Sequence, residues 1–330
     1  MQEDSTPTTS AFYQLTPDRI LEAVELLGVR CTGRILQLNS LENRVYQVEY
    51  EDGKGGDLYL VAKFYRPERW TKEQIQEEHA FLFELEKEEI PVVTPLTFPD
   101  GETVKQIPNT NVWFALSPKR VGRLEDEIKD QQLEILGRYI ARLHIVGARE
   151  TFSSRPTFSA DYLGYKNLEF LLKNKLIPVN FEKKIEEIVT SLLKSIEPRL
   201  SSLDKIRIHG DFHCGNVLWM QHNCFIVDFD DCLNGPAVQD LWLILPARDE
   251  YAKKQREVLV DAYTEIRTFD TSTLKLTEYF RCLRNIAFLA WIGRRWDDPF
   301  FQKTFPDYPS ESYWQEQLIS FYELAEHIQP

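Results

Sequence analysis

One stretch, from Arg207 to Asp231, limits what this chain can fold into more than any other. It holds Asp211, then Asn216 five residues later, then Asp228 at the end of a short apolar run, Cys224-Phe225-Ile226-Val227. Ile206-Arg207-Ile208 reads as a strand entering the loop and Asn216-Val217-Leu218-Trp219 as a strand leaving it, with the Cys224 run as a third. Polar residues between strands ordinarily serve turn chemistry. An Asp, an Asn and a second Asp at adjacent strand ends can do more. Asp211 can accept a hydrogen bond from a hydroxyl nucleophile and take its proton, while Asn216 and Asp228 offer a neutral and an anionic oxygen to hard magnesium. The ordered set predicts phosphoryl transfer from a nucleoside triphosphate.

Upstream, Thr16 to Leu27 has helical spacing, with Thr16 as N-cap, Pro17 at the first position and Gly28 closing it. Ile35–Leu38, Val45–Tyr50 and Leu58–Phe64 read as strands, with Asp52-Gly53 and Gly55-Gly56 marking a turn. Between the first two strands lies Asn39-Ser40-Leu41-Glu42-Asn43-Arg44, a turn without glycine. Alone it reads as an ordinary polar hairpin; its place ahead of Lys63 makes Ser40 and nearby N–H groups candidates for phosphate oxygens. An inward Lys63 is costly unless a carboxylate or phosphate pairs with it. Thr71 can cap a helix from Lys72 to Glu89, in which Glu77 and Glu78 are candidate partners for Lys63. Glu78 is preferred, because it lies beside the apolar stripe of Ile75 and Leu82. Pro91–Val93 and Leu96–Phe98 predict another hairpin around Pro99-Asp100-Gly101, and Val112–Ser117 a buried strand, with a break at Pro118–Gly122.

Beyond that break, helices are expected over 127–147, 155–176, 181–200, 237–245, 253–267, 274–294 and 312–327, the 237–245 helix following Asn234-Gly235-Pro236 and carrying Asp240 one turn in. Trp291, Arg294, Arg295 and Trp296 form a basic-aromatic patch, read as a packed structural element. His209 is expected to brace the loop, and neither His209 nor His213 forms a convincing zinc set with Cys214 and Cys224. The five cysteines are scattered, which fits reduced thiols; Cys214 is the one singled out for a reactivity test. A net charge of −13 argues against a nucleic-acid partner. Met1–Phe12 lacks the pattern of a signal peptide, and Ile286–Gly293, the longest uncharged apolar stretch, is too short to cross a bilayer.

These residues carry a resemblance. The spacing of His209-Gly210-Asp211, Asn216 and Val227-Asp228-Phe229-Asp230 is similar to that of kinase catalytic loops, and in particular to aminoglycoside-phosphotransferase/choline-kinase-like enzymes. With the blocks Asn39–Tyr46, Lys63–Trp70, Asn234–Trp242 and Arg294-Arg295-Trp296, the chain resembles the bacterial stress response kinase A family over about residues 15 to 325. The resemblance implies an α+β, two-lobed, protein-kinase-like fold. It would have a disordered segment at 1–14, a nucleotide-binding lobe at 15–117 and a catalytic and substrate lobe at 118–330. It implies a cytoplasmic kinase dependent on ATP and magnesium; a monomer is expected. That kinase would phosphorylate Ser and Thr of proteins, itself included, in a response to oxidative or envelope damage, with no membrane partner. Asp211 would be the proton acceptor, Asn216 and Asp228 the magnesium ligands, with Ser40, Lys63 and Glu78 serving ATP. Where that family has Asp-Leu-Asp-Asp, this chain has Asp228-Phe229-Asp230-Asp231. A small-molecule kinase of the same fold and a nucleotide-binding scaffold are the competing expectations.

Overall fold

The computed structural model describes residues 12, 14–51, 57–125, 127–221 and 223–328. The turn expected at Asp52–Gly56 and nearly all of the segment expected at 1–14 lie outside the described residues. The chain divides into two compact units, Met1–Glu127 with Cys214–Asp230, and Ile128–His213 with Asp231–Pro330.

In the first unit, helix α1 (Pro17–Glu25) starts at Thr16, whose hydroxyl accepts from the Arg19 amide. Strands β1 (Arg30–Leu38), β2 (Arg44–Glu51) and β3 (Asp57–Phe64) pair antiparallel. β1 starts ahead of the expected Ile35 and carries an irregularity between Cys31 and Ile35, where Gly33 sits at φ 90°. Helix α2 (Lys72–Lys87) opens with a capping box between Thr71 and Gln74. Strands β4 (Lys105–Gln106) and β5 (Trp113–Pro118) complete a sheet in the order β1-β2-β3-β5-β4. Leu60, Ala62 and Phe64 alternate onto one face of β3, where Ile20, Val24, Val48, Phe114 and Leu116 bury them. Lys63 therefore points to the opposite face, where Tyr65, Trp70, Ile75 and Ala115 cluster.

Of the hairpin expected around Pro99-Asp100-Gly101, the turn forms: the Phe98 amide donates to Glu102 O and the Gly101 amide to Phe98 O. The preceding chain takes other partners, Leu96 donating its amide to Leu116 O and Pro91 O accepting from the Ile226 amide. Strands β7 (Val217–Met220) and β8 (Asn223–Ile226) form a hairpin that belongs to this first unit. Trp219 and Arg123 exchange both backbone hydrogen bonds at 2.8 Å. A Cβ on Gly122 would lie 2.8 Å from Leu218 Cβ, so only glycine allows that approach. These contacts tie Gly122 and Arg123 to the β7–β8 hairpin within the first unit.

The second unit is mainly helical: α3 (Asp130–Gly147), α4 (Lys166–Lys173), α5 (Val179–Ser201), α6 (Val238–Leu243), α7 (Glu250–Thr264), α8 (Thr277–Arg294), α9 (Pro299–Thr304) and α10 (Glu311–His327). Trp242, Phe280, Leu193, Trp314 and Phe321 lie at its core. Strand β6 (Ile206–Ile208) pairs with β9 (Leu233–Gly235), and not with the β7–β8 hairpin that follows it. Asn234 and Gly235 are thus strand. The Asn234 backbone bonds Pro156 O and Phe158 N–H, which also holds 155–158 extended and delays the expected 155–176 helix to a π turn at Asp161–Tyr165. Among the described residues no helix is long and apolar enough to cross a membrane.

Candidate active site

Lys63 is drawn toward three carboxylates of its own unit. Its Nζ lies 3.0 Å from Asp230 Oδ1, 3.3 Å from Asp228 Oδ1 and 3.7 Å from Glu78 Oε1. β3 aims Lys63 at the α2 face, and the Ile75–Leu82 stripe that docks α2 buries Glu78 at 3 % exposure. Burial by itself would push the Lys63 pKa down, but Asp230, Glu78 and Asp228 outweigh it and hold the amine well above its ordinary value. The amine is a fixed cation there. Sequence reasoning anticipated Glu78 beside Lys63 and missed Asp230, the nearest of the three acids.

Ser40 and Asn43 share the turn between β1 and β2, where the Ser40 hydroxyl accepts the Asn43 amide at 3.2 Å. Asn216 and Asp228 sit at the two ends of the β7–β8 hairpin, joined through the Val227 amide, which donates to Asn216 O at 3.0 Å. Asn216 is buried, whereas the Asp228 side chain is 52 % exposed. Asp228 adopts φ 62°, the left-handed region that Asp tolerates better than most residues and that recurs at functional sites. An amide oxygen and a carboxylate are hard donors that suit magnesium, which binds through one or two protein oxygens and completes its shell with phosphate and water. Among the described residues no cluster of three His, Cys, Asp or Glu could hold a metal by itself. That donor set fits a magnesium ion that arrives with phosphate oxygens.

In the second unit the loop after β6 presents Asp211. Its carboxylate meets Arg284 Nη1 of α8 at 2.7 Å and His213 Nε2 at 3.4 Å. Burial would raise the Asp211 pKa, but His213 and Arg284 hold it well below the usual carboxylate range. The loop backbone is braced from below by a buried Asp240. Its Oδ2 accepts from the His209 amide at 2.9 Å and its Oδ1 from the Gly210 amide at 2.9 Å. Gln239 Nε2 donates to Gly210 O at 3.0 Å, and Trp242 Nε1 holds Gln239 in place. His209 Nδ1 accepts from the Asp211 amide at 3.3 Å, which is the bracing role expected of it. The Asn234–Trp242 block thus does its work behind the loop. Asp240 falls in the helix expected over 237–245, where nothing in the sequence marks it for this role, and Arg284 gives no signal within a helix of mixed charge.

The remaining candidates are structural. Arg295 is buried with its guanidinium over the Trp291 ring and bonded to Trp291 O, and Arg294 lies over Phe170. All five cysteines are free. Burial raises the Cys214 thiol, and pushes Cys31 up to about 11 and Cys224 and Cys282 up to about 12, so none of these four is activated.

With this geometry in view, residues 34–276 match the Phosphotransferase enzyme family. Stress response kinase A of Escherichia coli (strain K12) is 38% identical over 319 residues, covering 96% of this chain and 95% of that protein. A Salmonella typhimurium (strain LT2) protein named serine/threonine protein kinase RdoA is 39% identical over 314 residues, covering 94% and 93%. Among solved structures, amicoumacin kinase hAmiN in complex with AMP-PNP, Ca2+ and Ami is similar with a TM-score of 0.72 at 19% identity, covering 92% of this chain and 94% of that one. A microcompartment-associated aminopropanol kinase follows at 0.65 and 20%, covering 91% and 97%. These structural likenesses show the shared fold.

Proposed function

Because this chain belongs to the Phosphotransferase enzyme family, and within it to the stress response kinase A group, we propose that it is a protein kinase. It transfers the γ-phosphoryl group of ATP to Ser or Thr hydroxyls of proteins, its own included, in a bacterial stress response. The observation that carries the nucleotide half is Lys63, held cationic by Glu78, Asp228 and Asp230 at one end of β3. A strand lysine paired with a helix glutamate is the arrangement that neutralises non-transferred phosphates in kinases. Magnesium would be held by Asn216 and Asp228 and would neutralise phosphate charge. Ser40 and its turn would lie over the phosphates. Asp211 orients the acceptor hydroxyl and takes its proton late. With its pKa depressed, it is a weak base, suited to positioning in a reaction that needs little proton abstraction before the phosphoryl group moves.

Two features favour a protein acceptor over a cationic small molecule. The relatives that match nearly the whole chain are named stress response kinase or serine/threonine protein kinase. In addition, Arg284 and His213 flank Asp211, and the fixed guanidinium would repel the ammonium of an amino alcohol or amino sugar. The test uses γ-labelled ATP with magnesium, the chain alone, and separate additions of generic protein acceptors, amino alcohols and aminoglycosides. Label is expected on protein, reduced about 10²- to 10⁴-fold in Asp211→Ala. Label on small alcohols alone would replace this reading with a small-molecule kinase.

A further inference from the structure

Arg66 and Arg69 of the Lys63–Trp70 block have no role above, and the structure joins them to the second aspartate of Asp228-Phe229-Asp230 and to the 39–44 turn. Asp230, 2 % exposed, receives three groups from distant parts of the first unit: Lys63 Nζ at 3.0 Å on Oδ1, and Arg69 Nη1 at 2.6 Å and Asn43 Nδ2 at 3.3 Å on Oδ2. Asn43, also 2 % exposed, accepts the Arg66 backbone amide on Oδ1 at 3.1 Å, and its backbone N–H donates to Ser40 Oγ. Only one orientation of the Asn43 amide serves both neighbours, since a backbone N–H needs the oxygen and a carboxylate needs the nitrogen. Glu42 closes the circuit. Its carboxylate lies 3.2 Å from Arg66 Nε and 3.5 Å from Arg69 Nη1, and its backbone oxygen accepts from Arg66 Nε at 3.0 Å.

We propose that Asp230 and Asn43 form a buried latch that fixes the 39–44 turn relative to Lys63, so that both are set for nucleotide phosphates before nucleotide binds. Asp230 is a positioning residue in this scheme and not a metal ligand: both of its oxygens face cations of the fold, whereas the side chain of Asp228 is half exposed. A phosphate-covering turn usually relies on glycines to bring its backbone close to the ligand. Here the turn has none, and side-chain bonds to Asn43 take over its shaping. The buried desolvation cost of Asp230 is offset by two cations and an amide, so the network is stable only when complete. The inference rests on the reading of Lys63 as the ATP-phosphate lysine.

The experiment separates the two. Asn43→Asp keeps an acceptor for the Arg66 amide but sets a carboxylate against Asp230. The exchanged pair Asn43→Asp with Asp230→Asn reverses donor and acceptor at unchanged net charge. Affinity for magnesium AMP-PNP is measured by calorimetry, and melting temperature beside it. Asn43→Asp should weaken affinity about tenfold, the scale of one hydrogen bond to a charged group, and the exchanged pair, which restores the donor to position 43 but leaves Lys63 and Arg69 a single acceptor oxygen at 230, should recover part of that loss and bind more tightly than either single variant. A merely structural role would lower melting temperature and leave the affinity of folded protein intact. Should Asn43→Asp not fold, Asp230→Asn alone binding more weakly than the exchanged pair gives the same support. Variants that bind like wild type, or an exchanged pair no better than either single variant, would overturn the latch alone. A wild type that binds no magnesium AMP-PNP would overturn the ATP site and the latch together.

Discussion

Asp240→Asn tests the bracing of the Asp211 loop most directly. Asp240 is wholly buried and accepts three hydrogen bonds: from the His209 and Gly210 amides, and from His144 Nε2 at 3.1 Å. The proton positions follow from the partners. Arg267 donates to the Tyr263 hydroxyl at 2.8 Å, so that hydroxyl donates onward to His144 Nδ1 at 2.9 Å, and His144 keeps its proton on Nε2 for Asp240. An asparagine has one acceptor oxygen where the carboxylate has two. In its better orientation it keeps His209 and His144 and turns an NH2 onto the Gly210 amide; in the other it keeps only Gly210. The smaller loss is one hydrogen bond to a charged group, about 1.5–3 kcal/mol, plus about 1–3 kcal/mol for a buried donor facing a donor. A net loss of about 3–5 kcal/mol is expected, a large part of the ~5–15 kcal/mol that holds a typical domain folded. Urea unfolding at neutral pH, followed by tryptophan fluorescence, measures it. In the protein that remains folded, phosphoryl transfer should fall more than magnesium AMP-PNP affinity, because Asp211 moves with the loop. A loss below about 1 kcal/mol with full transfer activity would refute the bracing argument.

Other outcomes follow from the same coordinates. Gly210 has φ 84°, and a Cβ there would lie 2.3 Å from Asp231 O, so Gly210→Ala should cost at least about 2 kcal/mol from backbone conformation and collision; wild-type stability in urea would contradict it. Burial holds the His144 pKa below its ordinary value against the pull of Asp240, so the folded chain binds that proton less readily than the unfolded one. Its contribution is complete above the unfolded value near ~6.5 and is lost as pH falls through the folded value, so the urea midpoint should drop between pH 7.5 and 5.5; a rise would overturn the assignment. The buried Cys224 and Cys282 and the half-buried Cys214, each with its thiol raised, should alkylate with iodoacetamide at pH 7 at least about tenfold more slowly in native than in urea-unfolded protein; fast native labelling of Cys214 would make it a reactive site after all.

Local signals were legible wherever one segment settles its own structure. Thr16-Pro17, the Thr71–Gln74 capping box and the alternation along Leu60–Phe64 place α1, α2 and β3, and with β3 the direction of Lys63. Glu78 was readable as well, because the stripe that buries α2 also decides which of its glutamates turns inward. What escaped was partnership over distance. The β6–β9 pairing joins strands across the whole β7–β8 hairpin, and no hydrophobic run of three residues announces its mate. Arg284 reaches Asp211 across 73 positions and Asn43 reaches Asp230 across 187, in each case from a segment whose charge pattern looks like an ordinary solvated face.

The two aspartates of Asp228-Phe229-Asp230 show why spacing alone could not sort them. Both approach Lys63 within 3.3 Å, and both belong to the same short motif. Phe229 between them is buried, edge-on to Phe81 of α2, and anchors the turn from which the carboxylates diverge. Asp228 turns out at φ 62° with half its side chain exposed, while Asp230 turns into Arg69 and Asn43. A carboxylate open to solvent can exchange one cation for another at little cost, and a buried one tied to a guanidinium cannot. On the proposed reading, burial divides the labour within the motif: Asp228 would be available to an incoming cation, and Asp230 would hold in place the lysine and the turn that receive the phosphates.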